Sequence, residues 1–210
     1  MKKAILYVHG KGGSSLEAEQ YKEACHGFEV VGAAYQGEYP WVVRPQLQAA
    51  YGALRREYSS VSVIANSIGA YFTMLALQGC EIERAFFISP VLDMERLILD
   101  MMGWAQATED ELREKGEIPT DFGETLSWDY LCFVRENPIC WDVPTSILYA
   151  EHDQLIARDI VESFAQSHHA ALAVMAGGEH WFHTEEQLAF LRGWLQKMIT
   201  QPRLDEGSGG

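Results

Sequence analysis

One stretch constrains the fold of this chain more than any other: residues 61–77, VSVIANSIGAYFTMLAL. Residues 61–65 are short, apolar and rich in β-branched side chains, the composition of a strand buried on both faces of a parallel sheet. From Ile68 onward the sequence reads as helix, with almost no loop between. The chain therefore passes from strand to helix across Asn66 and Ser67. A turn that sharp lifts one side chain, Ser67, above the sheet edge. Ala65 and Gly69, two residues before and two after, are small enough for strand and helix to crowd together around it.

Other segments repeat the alternation. Apolar runs at residues 4–8, 28–35, 84–88, 145–150 and 171–175 predict further strands. Ser14 with Glu17, and Thr184 with Gln187, have capping-box spacing and predict helices over 15–25 and from 184 onward, the second with Leu188, Leu191, Leu195 and Met198 on one face. Pro45 marks another helix start, followed by Leu47, Ala50, Tyr51, Leu54 and Tyr58 at helical spacing. Strands alternating with helices in this way predict an α/β protein with a mostly parallel sheet of about six strands and helices on both faces. Between residues 91 and 143 the alternation stops. A run of about 50 residues without a clear strand reads as a small helical cap rather than a loop. The expected organisation is one core over 1–200, interrupted by a cap insert at 91–143, with a polar, Gly-rich tail at 201–210 that is frayed or left over from cloning.

Composition narrows the partners. A length of 210 residues suits one well-buried core, and 16 basic against 30 acidic residues give a formal charge of −14. That balance opposes nucleic acid and anionic membrane surfaces as partners and leaves a small molecule as the expected one. The N-terminus has two lysines before a short apolar run, too short for a signal peptide, and no apolar run reaches the ~20 residues of a membrane span. A cytoplasmic location follows as the expectation, with Cys25, Cys80, Cys132 and Cys140 as reduced thiols, since none of them forms C-x-x-C. The sequence says nothing about oligomeric state. Gly10-Lys11-Gly12-Gly13-Ser14-Ser15 has neither the P-loop order nor the third glycine of a dinucleotide fingerprint. His180-x-x-His183 alone is a poor zinc signature, so neither a metal nor a cofactor is expected.

In an open parallel sheet, ligands bind beyond the carboxyl ends of the strands. After the first predicted strand comes His9-Gly10-Lys11-Gly12-Gly13. After the elbow strand comes Ser67, after the next-to-last Glu151-His152-Asp153, and after the last Gly177-Gly178-Glu179-His180. A nucleophile, an acid and a base thus occur in the order Ser, Asp, His, and small-x-Ser-x-small is the pattern of a nucleophile elbow.

From Ala4 to Ile199 the chain resembles the α/β-hydrolase superfamily, and within it the small cytosolic serine esterases of the cinnamoyl-esterase and acylglycerol-lipase type. The resemblance implies the α/β-hydrolase fold, starting at what the family counts as its third strand. It implies Ser67 as nucleophile, Asp153 as acid and His180 as base, with backbone N–H groups of Ile68 and Lys11 as oxyanion donors. His9 would support the loop without moving protons. The implied activity is hydrolysis of a small to medium carboxylic ester or thioester through an acyl-enzyme on Ser67. A non-catalytic binding protein on the same fold, and a peptidase or acyltransferase with the same triad, are the rival readings.

Several assignments have competitors. Asp153 could instead cap the following helix, Glu151 is a second-choice acid, and His183 competes with His180. Lys11 stands where similar enzymes more often carry an apolar or aromatic residue. It could attract a substrate carboxylate, or its stem could simply snorkel to water. Trp104, Trp128, Tyr130 and Trp141 in the insert would suit an apolar or aromatic acyl pocket, or would merely hold the cap to the core.

Overall fold

A computed structural model describes residues 2–201, so Pro202–Gly210, nearly all of the expected tail, lie outside the described residues. Six parallel strands form the main sheet in the order β2-β1-β3-β4-β7-β8, with β1 Lys3–Val8, β2 Glu29–Gly32, β3 Ser60–Asn66, β4 Ala85–Ile88, β7 Thr145–Ala150 and β8 Ala171–Met175. The apolar runs dictate this layout, because consecutive residues of each strand face opposite sides and both sides are covered. Leu6, Val8, Val63, Ala65 and Phe87 pack into one core cluster. Ile5, Tyr7, Ile64, Phe86 and Ile88 pack into the other.

Helices α2 (Pro40–Glu57), α3 (Ile68–Leu77) and α7 (Arg158–Ser167) lie on the first side. On the second are α1 (Glu19–Lys22) and α8 (Glu185–Thr200). α8 begins as its capping box requires, with Gln187 N–H donating to Thr184 Oγ1 at 3.2 Å. Two predicted helices differ from expectation. α2 starts at Pro40 rather than Pro45, because Pro40 takes the first helical position, where a missing N–H costs nothing, and Pro45 is accommodated inside the helix. The segment expected as one helix over 15–25 is a 3₁₀ turn, Ser15–Ala18, followed by the single turn of α1. It is tied down there by Glu17, whose carboxylate accepts from Ser14 N–H and from the Tyr7 hydroxyl.

The insert is not purely helical. Between α4 (Met94–Trp104), α5 (Glu109–Lys115) and α6 (Trp128–Glu136) lies an antiparallel hairpin of β5 (Glu117–Pro119) and β6 (Thr125–Ser127). Three-residue strands bounded by Pro119 and Gly123 leave no readable alternation. The cap is held to the core by aromatics: Tyr130 and Phe133 of α6 meet Trp41 with ring centroids 6.1 and 5.4 Å apart, and Tyr39 stacks on Trp41 at 4.8 Å. Trp141 belongs to the core, buried beside Phe87 with its indole N–H donated to Thr145 Oγ1 at 2.8 Å. Among the described residues, no helix is long and apolar enough to cross a membrane.

Candidate active site

Ser67 sits between the end of β3 and the start of α3 with φ 51° and ψ −123°. The backbone of a non-glycine residue in this conformation is strained, at a cost of about 1–3 kcal/mol, and the surroundings must hold it. They do so by hydrogen bonds at both ends: Ser67 N–H donates to Ile88 C=O at 3.0 Å, and Ser67 C=O accepts from Val91 N–H at 3.1 Å. The small neighbours are a geometric necessity. A Cβ on Gly69 would lie 2.5 Å from the carbonyl oxygen of His9, and one on Gly10 would lie 3.2 Å from Cβ of Ser67. Loop 9–13 therefore runs directly against the elbow, with Lys11 next in line.

That loop is fastened from beneath. The His9 ring is buried and stacks on Tyr35 at 4.1 Å, and the Tyr35 hydroxyl donates to His9 C=O at 2.6 Å. His9 Nδ1 lies 2.8 Å from Gly10 C=O, which can only accept, so Nδ1 carries the proton.

Across the sheet edge, the loops after β7 and β8 bring Asp153 and His180 to Ser67. His180 Nε2 lies 3.0 Å from Ser67 Oγ, and His180 Nδ1 lies 2.7 Å from Asp153 Oδ2. With a carboxylate facing Nδ1, the neutral ring keeps its proton there and offers Nε2 as an acceptor to the serine hydroxyl. The Asp153 side chain has no exposed surface, and its other oxygen accepts from Leu155 and Ile156 N–H, both at 2.9 Å. These bonds shape a loop, not a helix cap, because α7 is capped at Ala157. Glu151 is occupied elsewhere: its carboxylate accepts from Gly177 N–H at 2.8 Å, and His152 N–H donates to Gly178 C=O at 2.8 Å. The acid loop and the histidine loop are thereby braced together. His183 turns away, its Nδ1 2.7 Å from Trp181 C=O.

Two cavities lie near the elbow, one lined by Ile68, the residue after Ser67, and the other by Ser67 itself. One, of about 510 Å³, lies under the cap and is lined mainly by apolar side chains, among them Ile68, Leu97, Ile98, Met101, Leu126 and Leu155. Trp104 and Tyr130 border it. Trp128 is not among its lining residues; its half-buried ring packs against the core cluster and lies 5.8 Å from the Arg113 guanidinium. The second cavity, of about 470 Å³, opens beside Ser67 and His180 and is more polar, with Glu17, Gln20 and Asn66 on its walls. Lys11 borders both. Its ammonium is not free, because Nζ lies 2.5 Å from Glu124 Oε2 of the cap and 3.7 Å from Glu38 Oε1. Burial and neighbouring phenol and carboxylate groups push the Tyr130 hydroxyl well above the usual phenol range, so it stays neutral.

No protein-family model matches the chain, and no curated protein matches it. Solved structures do. Est1E from Butyrivibrio proteoclasticus superposes with a TM-score of 0.76 at 15% identity, covering 94% of this chain and 86% of that one. Alpha/beta hydrolase domain-containing protein 10 from mouse gives 0.70 at 13% identity, covering 93% and 89%. The chain has the α/β-hydrolase fold. A thioesterase domain from the curacin biosynthetic pathway is also similar, with a TM-score of 0.55, 13% identity and coverage of 95% and 92%. The loops that carry Ser67, Asp153 and His180 all lie at the carboxyl ends of strands, β3, β7 and β8. Sequence reasoning missed the wall of the larger cavity. A signal for it existed in Met94, Leu97, Ile98 and Met101, which follow helical spacing on α4.

Proposed function

We propose that the protein is a serine hydrolase that cleaves a small to medium carboxylic ester or thioester through an acyl-enzyme on Ser67. The observation that carries this reading is the unbroken chain from Ser67 Oγ to His180 Nε2 at 3.0 Å and from His180 Nδ1 to Asp153 at 2.7 Å; Ile68, the residue after Ser67, lines a mainly apolar cavity. His180 removes the proton as Ser67 Oγ attacks the acyl carbon, and Asp153 orients the ring and stabilises the imidazolium. The oxyanion is received by N–H groups of Ile68, at the open first turn of α3, and of Lys11, on the loop pressed against the elbow. His180 then returns its proton to the departing alcohol or thiol. Water, activated by the same ring, releases the acid and restores Ser67.

The cap-side cavity suits the acyl group, with Trp104 and Tyr130 on its wall, and the more polar cavity beside His180 suits the leaving group. Structural likeness to an α/β hydrolase and to a thioesterase domain supports hydrolysis as the class of reaction. The test is turnover of a panel of p-nitrophenyl esters and acyl thioesters by wild type and Ser67→Ala. The expected result is turnover by wild type that Ser67→Ala loses. Binding of esters without turnover by wild type would favour a binding protein on the same fold.

A further inference from the structure

Lys11 invites a simple guess, that a cation at the cavity mouth receives an anionic acyl group. Its surroundings reverse that guess. Among the residues lining the larger cavity, the charged ones are Lys11, Glu38 and Glu124, and Lys11 is paired to both glutamates. One positive and two negative charges leave the rim with a net charge of −1, on a chain whose formal charge is −14. The closer partner, Glu124, comes from the cap hairpin, so this ion pair spans the opening from the oxyanion loop to the cap. A carboxylate on the acyl group would have to displace Glu124 from Lys11 or lie beside an unpaired glutamate. The rest of the wall is mostly apolar, its polar side chains (Tyr39, Thr125, Ser127 and Tyr130) are hydroxyls, and it holds no second cation to compensate.

We infer that Glu38 and Glu124 make this cavity selective for uncharged acyl groups, by occupying Lys11 and leaving the rim net negative. The inference rests on the assignment of this cavity to the acyl group of a Ser67 hydrolase, and it names the chemical class that group takes. Substrates would be esters or thioesters of monocarboxylic acids, with half-esters of dicarboxylic acids excluded. Lys11 and Glu38 are exposed and Glu124 is half-buried, so the discrimination is modest and weakens with salt.

The experiment uses binding, so that it does not depend on catalysis. Affinities of methyl hexanoate and monomethyl adipate are measured for full-length Ser67→Ala, and for the same protein carrying either Glu38→Gln with Glu124→Gln, or Lys11→Met. The expected result is binding of methyl hexanoate about fivefold tighter than of monomethyl adipate, as one extra negative charge at the rim implies. Removing both glutamates reverses the order, Lys11→Met widens the gap, and raised ionic strength narrows it. Equal affinities, no binding of either ester, or a ratio that the charge changes leave untouched would overturn the inference. Failure of the hydrolase reading shows separately, as wild-type protein that binds methyl hexanoate selectively but turns over no ester or thioester.

Discussion

Asp153 and His180 are joined through one carboxylate oxygen, at 2.7 Å from Nδ1, while the other oxygen of Asp153 holds its own loop through Leu155 and Ile156 N–H. The carboxylate that meets the His180 ring is thus also held by its own loop. Asp153→Asn keeps an oxygen for the loop but can present an amide NH₂ to the ring, favouring the wrong tautomer. We expect ester turnover to fall by about 10³–10⁴, the order seen where a triad aspartate is made an amide, with little change in melting temperature. A melting point that drops in step with activity would mean that Asp153 serves the fold alone.

Glu151 does not touch Ser67 or His180, yet it bonds Gly177 N–H, three residues before the base. On the proposed mechanism it acts as a positioning residue. Glu151→Ala should lower kcat about tenfold with a smaller effect on KM, because a misplaced base weakens the transition state more than substrate binding. Glu151→Gln, which retains an acceptor, should recover most of the loss. Steady-state kinetics on a single p-nitrophenyl ester separate the two.

The elbow tolerates nothing larger than glycine at position 69, where an added Cβ would fall 2.5 Å from one backbone oxygen and 2.6 Å from another. Gly69→Ala should cost about 1–3 kcal/mol or more of stability, read from chemical denaturation. Gly52→Ala is the control, since a Cβ there meets nothing within 4 Å and Gly52 lies inside α2. It should be neutral or stabilise slightly.

If the apolar cavity receives the acyl chain, filling it must shorten the chains accepted. Met101 lies on the wall and is only partly buried, so Met101→Trp can be made without breaking the core. We expect turnover of octanoyl esters to fall about tenfold or more relative to acetyl esters. An unchanged chain-length profile would place the acyl group elsewhere.

How much of this was legible in the sequence follows from how locally each feature is encoded. The parallel strands announce themselves as short apolar runs, and Ser67, Asp153 and His180 each lie within five residues after one, so strand order alone places them at a common edge. The 15–25 segment begins where the Ser14–Glu17 capping box predicts, but as a 3₁₀ turn followed by one helical turn, and the bond from the Tyr7 hydroxyl that also holds Glu17 comes from another element. The cap hairpin was missed because three-residue strands carry too little pattern. Trp128 was grouped with Trp104 and Tyr130 by residue type, and only the turn of α6 decides that Tyr130 faces the cavity and Trp128 faces Arg113. The pairing of Lys11 with Glu124 joins residues 113 apart in the chain, beyond any spacing rule.

The central claim, that Ser67 is a nucleophile activated by His180, is tested most directly by intact-protein and peptide mass spectrometry after treatment with a fluorophosphonate. The account predicts a single phosphonyl adduct on the peptide containing Ser67 in wild type, none in Ser67→Ala, and much slower labelling in His180→Ala. An adduct of equal yield in Ser67→Ala, or a wild-type protein that stays unlabelled while its fold is intact, would contradict it.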